Sequence, residues 1–147
     1  MVSSFKFTLF SPNGKVERFL AATKEGSDTF GACYYCKEGP AVIEPDGTQI
    51  YYMNGHIGNA NGGPSIIYPS GKKEYYTNGK LGRLDGPAIE FAEGGEDWIW
   101  GGVYHRKNAA ARISADGIKE YWYKGKKVNA SNDQEFARKI KLSNLLF

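Results

Sequence analysis

The chain has 147 residues, 41% hydrophobic and 14% aromatic, with 19 glycines and a net charge of +3. That apolar share and the mixed charges exclude a disordered chain, and the net charge is too weak to mark a polyanion-binding protein by itself. The length suits one domain, and abundant tyrosine and glycine suit β-structure with many tight turns. Charge is uneven: residues 119–147 carry +4 and residues 1–118 carry −1. A basic end on a near-neutral body reads first as a solvated helix and second as a hint of an anionic partner. Met1-Val2-Ser3-Ser4 lacks the basic and apolar regions of a signal peptide. No apolar run approaches the roughly 18 residues of a membrane span. A soluble, cytoplasmic protein is expected.

In chain order, Phe5-Lys6-Phe7-Thr8-Leu9 alternates as a half-buried strand does, Ser11-Pro12-Asn13-Gly14 is a turn, and Val16 to Leu20 returns as a second strand. Residues 23–38 read as a loop with an insertion, so 1–38 form an irregular hairpin and loop. Within it stands Cys33-Tyr34-Tyr35-Cys36. A zinc site needs about four ligands, and a redox pair of this spacing wants a βαβ context. No second cysteine pair exists, and His56 and His105 are isolated. Ordinary thiols are expected, with no metal and no cofactor, and a disulfide between the two remains open.

From Gly39 the chain is periodic. Gly-Pro recurs at 39–40, 63–64 and 86–87 and becomes Ala109-Ala110 in a fourth, degraded copy. Turn glycines recur at Gly47, Gly71, Gly94 and Gly117, and again at Gly55, Gly79, Gly102 and Gly125. An aromatic position recurs at Tyr51, Tyr75, Trp98 and Tyr121. Every series steps by 24, 23 and 23 residues, which marks a repeat architecture. Each copy reads as one β-hairpin, only marginally stable alone, so residues 39–128 are expected to form a meander of four. Residues 129–147 close the array. Ser131 stands three residues ahead of Gln134 as a cap, acids follow in the first turn and bases later, and Phe136 and Ile140 share a face. This fits a capping helix of about ten residues.

The aromatic positions are the candidate contacts. Residues 51, 75, 98 and 121 and their successors 52, 76, 99 and 122 should point to opposite faces of a sheet, so both faces carry large side chains. Cross-strand stacking explains such ladders, and so does an exposed partner surface. Trp98, Trp100 and Tyr104 come first as contacts, because the third copy breaks the pattern and adds His105-Arg106-Lys107. The expected partner-binding set is Tyr51, Tyr75, Trp98, Trp100, Tyr104, His105, Arg106, Tyr121 and Tyr123. Glu74, Asp97 and Glu120 fall at equivalent positions and are expected to form ion pairs on a wet face with Lys72, Lys73 and Lys119 in or beside the same rows. No nucleophile elbow, metalloprotease motif, phosphate loop or dinucleotide fingerprint occurs, so no enzyme is expected. Tyrosines alternating with lysines can bind single-stranded nucleic acid, but every such cluster contains an acid.

The pattern Tyr-x-Asn-Gly-Lys, a short charged connection, Asp-Gly-Pro-Ala and an apolar strand resembles the MORN-type repeat group. It is closest to the divergent YwqK-like, antitoxin-labelled form common in phage and giant-virus proteins. Tyr76-Thr77-Asn78-Gly79-Lys80-Leu81-Gly82-Arg83-Leu84-Asp85-Gly86-Pro87-Ala88-Ile89-Glu90 carries the resemblance best, which covers about residues 39–128 with an echo in 5–20. Trp98-Ile99-Trp100 and Ala109-Ala110 depart from it. The resemblance implies an all-β, elongated, single-layer antiparallel meander curled into a groove. It further implies a protein-interaction scaffold, with lipid binding suggested for some relatives. The resulting expectation is a non-catalytic protein-binding module, a phage-encoded factor acting on a host or defence protein in the host cytoplasm. A virion or assembly component that oligomerises and a single-stranded nucleic-acid binder are the alternatives.

Overall fold

The computed structural model describes residues 3–23, 30–34 and 39–145. The chain forms two compact units, Met1–Gly79 and Lys80–Phe147. Short antiparallel hairpins in meander order build both, with one helix at the end.

In the first unit, Ser3–Phe10 pairs with Val16–Thr23, and the opposed rings of Phe7 and Phe19 stack 5.0 Å apart. Gly14 N–H donates to Ser11 C=O at the closing turn, and Ser11 N–H to Lys15 C=O. The same two bonds close the turns at 44–48 and 68–72, and in the second unit those at 91–95 and 114–118. Asn13, Asp46 and Ser70, each one residue before the turn glycine, accept from the N–H two residues on. Short polar side chains favour this turn because they supply that acceptor. The stretch expected as a loop at 23–38 contains a strand, Phe30–Tyr34, paired with Val16–Thr23. Gly31 and Ala32 hid it, being weak strand formers. Cys33 lies in that strand, and Cys36 lies outside the described residues, as does any pairing between them.

The meander of the first unit continues through Val42–Ile43, Gln49–Ile50, Ile66–Ile67 and Lys73–Glu74. That of the second unit runs Ile89–Glu90, Glu96–Asp97, Arg112–Ile113 and Lys119–Glu120. Each of these strands is two residues long, and a copy makes two hairpins rather than the one expected. The second hairpin stands apart: Tyr52–Met53 with His56–Ile57, Ile99–Trp100 with Val103–Tyr104, and Trp122–Tyr123 with Lys126–Lys127. The aromatic position at 51, 98 and 121 is the crease between the two. Its backbone is satisfied there: Tyr51 N–H donates to Ser65 C=O and Trp98 N–H to Ala111 C=O. Their carbonyls accept from Gly58 and His105. Residue 51 therefore lies between the hairpins and residue 52 in the second of them, and simple strand alternation does not describe the pair.

Both central residues of the second turn have positive φ in every copy, 51° and 74° at Asn78-Gly79 and 49° and 76° at Lys124-Gly125. This is the hairpin turn whose twist matches the strands. The degraded copies keep the geometry although they lose the asparagine. A second constant is a small residue after the Gly-Pro position. Ala41, Ser65, Ala88 and Ala111 are essentially inaccessible, and their N–H groups donate to the carbonyls of Ile50, Glu74, Asp97 and Glu120. A close-packed interior leaves no room for larger side chains at such points.

The helix spans Asp133–Leu145. Asn132, not Ser131, is its cap: Asn132 Oδ1 accepts from Glu135 N–H at 2.9 Å, and Glu135 Oε2 accepts from Ser131 N–H at 2.8 Å. Asp133 and Glu135 lie in the first turn as expected, but the last turn holds no base, so Arg138, Lys139 and Lys141 sit mid-helix. Phe136 and Ile140 are buried against Ala110 and Tyr121, forming the core of the second unit. A buried phenylalanine side chain contributes about 1.5–3 kcal/mol. The Tyr121 ring packs tilted against Phe136 with centroids 5.1 Å apart, and its hydroxyl donates to Asp133 at 2.9 Å.

Candidate functional site: a cationic, aromatic cavity on the third copy

The register places Glu90 directly opposite Glu96, a like-charge pair that is destabilising unless neutralised. The connections that precede the third and fourth copies supply the remedy. Arg83 pairs with Glu90 at 3.0 Å, and Arg106 with Glu96 at 3.5 Å. Arg106 also lies over the Trp98 ring, 3.6 Å from its centroid, and donates to Ala110 C=O at 3.1 Å. Trp98 Nε1 donates to Glu96 at 2.9 Å. A guanidinium stacked on an indole gains about 0.5–2 kcal/mol, more as water is excluded. Arg106, Trp98 and Glu96 therefore hold one another in place.

These groups border a cavity of about 570 Å³. Trp98, Trp100, His105 and Arg106 line it, and Arg83, Leu84, Lys107 and Asn108 complete its rim. Trp100 is 39% exposed and Leu84 is 77% exposed. His105 rests against the Tyr123 ring at 4.9 Å, and its Nδ1 accepts from Lys124 N–H at 3.0 Å. That bond puts the imidazole proton on Nε2. Burial lowers the pKa of His105, and the charges of Lys107 and Lys124 lower it further, so the ring is neutral at physiological pH.

Four of the expected contact residues thus meet here: Trp98, Trp100, His105 and Arg106. Tyr123 lines an adjoining cavity with Lys107 and Asn108. Tyr104 does not join them. It donates to Asp97 at 3.2 Å and lies 5.4 Å from Trp122, under the Arg112 guanidinium. Tyr75 and Tyr121 are buried, at 9% and 4% exposure, and serve packing instead of contact. Tyr51 is half-buried at the crease of the first copy. The column members of the expected set differ in burial: Tyr51 and Trp98 are half-buried, whereas Tyr75 and Tyr121 are buried. Leu84 and Arg83 were missed, although an apolar residue inside the charged run Arg83-Leu84-Asp85 was a signal in plain view.

Two of the three acids of the column are not on a wet face. Glu74 and Asp97 are 7% and 5% exposed. The expected lysine pairing forms at Glu74, which Lys72 meets at 2.6 Å, but Arg112 bridges Asp97 and Glu120 at 3.2 Å each, and Lys119 turns instead to Asp133 at 3.4 Å. The register accounts for the bridge, since Arg112 stands opposite Asp97 on one side and Glu120 on the other. Tyr76 donates to Glu74 at 3.1 Å, and burial together with that carboxylate pushes the Tyr76 phenol up to about 12. No group of three or more potential metal ligands occurs among the described residues. Among the same residues no helix is long and apolar enough to cross a membrane.

Comparison with protein-family models, curated proteins and solved structures finds no match.

Proposed function

We propose that the chain is a non-catalytic interaction protein that grips another protein through the cavity around Trp98, Trp100 and Arg106. The observation that carries this reading is the exposed Trp100 and Leu84 set beside a braced Arg106. Tryptophan and arginine dominate the energetics of protein interfaces, and a large apolar surface rimmed by polar groups is the usual form of a contact site. The buried acids support a non-catalytic role, since Glu74 and Asp97 are each engaged by a cation and a tyrosine hydroxyl. The resemblance to MORN-type repeats, whose relatives act mostly as interaction scaffolds, points the same way.

The test is capture from a lysate of the source organism on immobilised wild type, Trp100→Ala and Leu84→Ser. Both side chains are exposed, so thermal melts should superimpose on the wild type. Proteins retained by the wild type and lost by both variants are the expected outcome. An identical set on all three would sink the reading.

A further inference from the structure

We infer that the occupant of this cavity is an acidic peptide segment with an apolar anchor, lying in a cationic trough that runs from Leu84 past Lys107 to the C-terminal helix. The inference rests on the proposed protein-binding role and names the chemistry of the partner.

Two cavities make the trough. Lys107 and Asn108 line the one beside Trp100 and also a second, of about 370 Å³, whose far wall is Ile140, Lys141 and Asn144 of the helix. Among the described residues no carboxylate lines either cavity. The sequence holds no acid between Asp97 and Asp116, while Arg106, Lys107 and Arg112 fall in that interval. The two arginines of the rim are already engaged by Glu90 and Glu96. Lys107 and Lys141 form no ion pair among the described residues, so theirs are the charges left for a partner. A third cavity, of about 450 Å³, has the opposite character, with Glu93, Asp97, Asp116 and Glu120 in its wall. The positive trough is thus a local feature, and complementary potential is what selects and orients a partner at an interface.

The rings decide between peptide and nucleic acid. Single-stranded nucleic acid needs open aromatic faces on which bases stack. Here Trp98 carries Arg106, Tyr123 is flanked by His105 and by Lys124 at 5.4 Å, and Trp122 packs on Tyr104 with Lys127 at 5.8 Å. What stays open is Leu84 and the single indole of Trp100, which suit an aliphatic or aromatic side chain better than a run of stacked bases.

A displayed library of random dodecapeptides, selected on the wild type, tests the idea. Enriched sequences should be rich in Asp and Glu around a Leu, Phe or Trp. Their affinity, read by fluorescence anisotropy, should fall about tenfold or more in the Lys107→Glu, Lys141→Glu double variant, because reversed charges repel across an interface. It should also fall steeply with salt, and an oligothymidylate of equal charge should not compete. Neutral or basic winners, no enrichment, indifference to the charge reversal, or competition by the oligonucleotide would each overturn the proposal. If lysate capture still depends on Trp100 in those cases, the protein-binding role survives and only the acidic occupant falls.

Discussion

Tyr121 ties the last copy to the helix through one hydroxyl. Its ring is buried against Phe136, and its proton is donated to Asp133. Burial, the hydrogen bond and the negative charges of Asp133 and Glu135 push the phenol up to about 12. The folded pKa thus lies above the unfolded value near 10, so the contribution is complete below pH 10 and drains away as pH rises toward 12. Tyr121→Phe should cost about 1.5–3 kcal/mol in urea unfolding at neutral pH, the range for a hydrogen bond to a charged acceptor. It should also flatten the loss of stability between pH 10 and 12, and an unchanged alkaline limb would contradict this account. At this scale the sequence was an uneven guide. It paired Glu74 with a neighbouring lysine but did not find Arg112 for Asp97, and it placed both acids in water, because the column gives no sign that tyrosine hydroxyls will close over Glu74 and Asp97.

The helix shows how two good caps in succession mislead. Ser131 with Gln134 and Asn132 with Glu135 both satisfy the capping pattern. Asn132 prevails: its amide oxygen takes the Glu135 N–H, while Glu135 accepts from Ser131 N–H and pairs with Lys139 at 2.7 Å. The Lys139 ammonium first, then the Ser131 N–H, hold Glu135 down to about 2. A depressed carboxylate stabilises above its ordinary pKa, and that contribution disappears as pH falls from near 4.5 toward 2. Asn132→Ala should cost about 1 kcal/mol, the usual price of a lost N-cap, measured by thermal melting, whereas Ser131→Ala should be near neutral. Equal losses for the two would return the cap to Ser131. The hairpins teach a related lesson. Glycine and asparagine turns marked the reversals within the repeats, so the period and the meander order could be read directly there. The crease could not, since nothing in Tyr51, Trp98 or Tyr121 distinguishes a ring inside a strand from one between two hairpins.

For the molecule as a whole, the regular copies supply the framework and the irregular ones the candidate site. Landmarks 23 or 24 residues apart made the four-copy array legible from glycines alone. The two adjoining cavities were only half legible, because Leu84 of one comes from the connection before the third copy and Lys141 of the other from the helix beyond the fourth. Deleting residues 131–147 should strip the cover from Ala110 and Tyr121 and leave a large apolar surface in water. Terminal caps of repeat arrays are needed for solubility, so self-association in light scattering is expected. A truncated chain that stays monomeric with an unshifted melting temperature would show that the helix covers nothing of consequence.

The irregular third and fourth copies also give the protein an optical asymmetry. All three tryptophans, Trp98, Trp100 and Trp122, fall between Lys80 and Phe147, whereas Met1–Gly79 carries tyrosines but no tryptophan. Indole emission is therefore a private channel for the second unit, and the far-ultraviolet signal is shared by both. Denaturation followed through the two channels will superimpose if the units melt as one cooperative body and separate if they do not. No label need be attached to learn which.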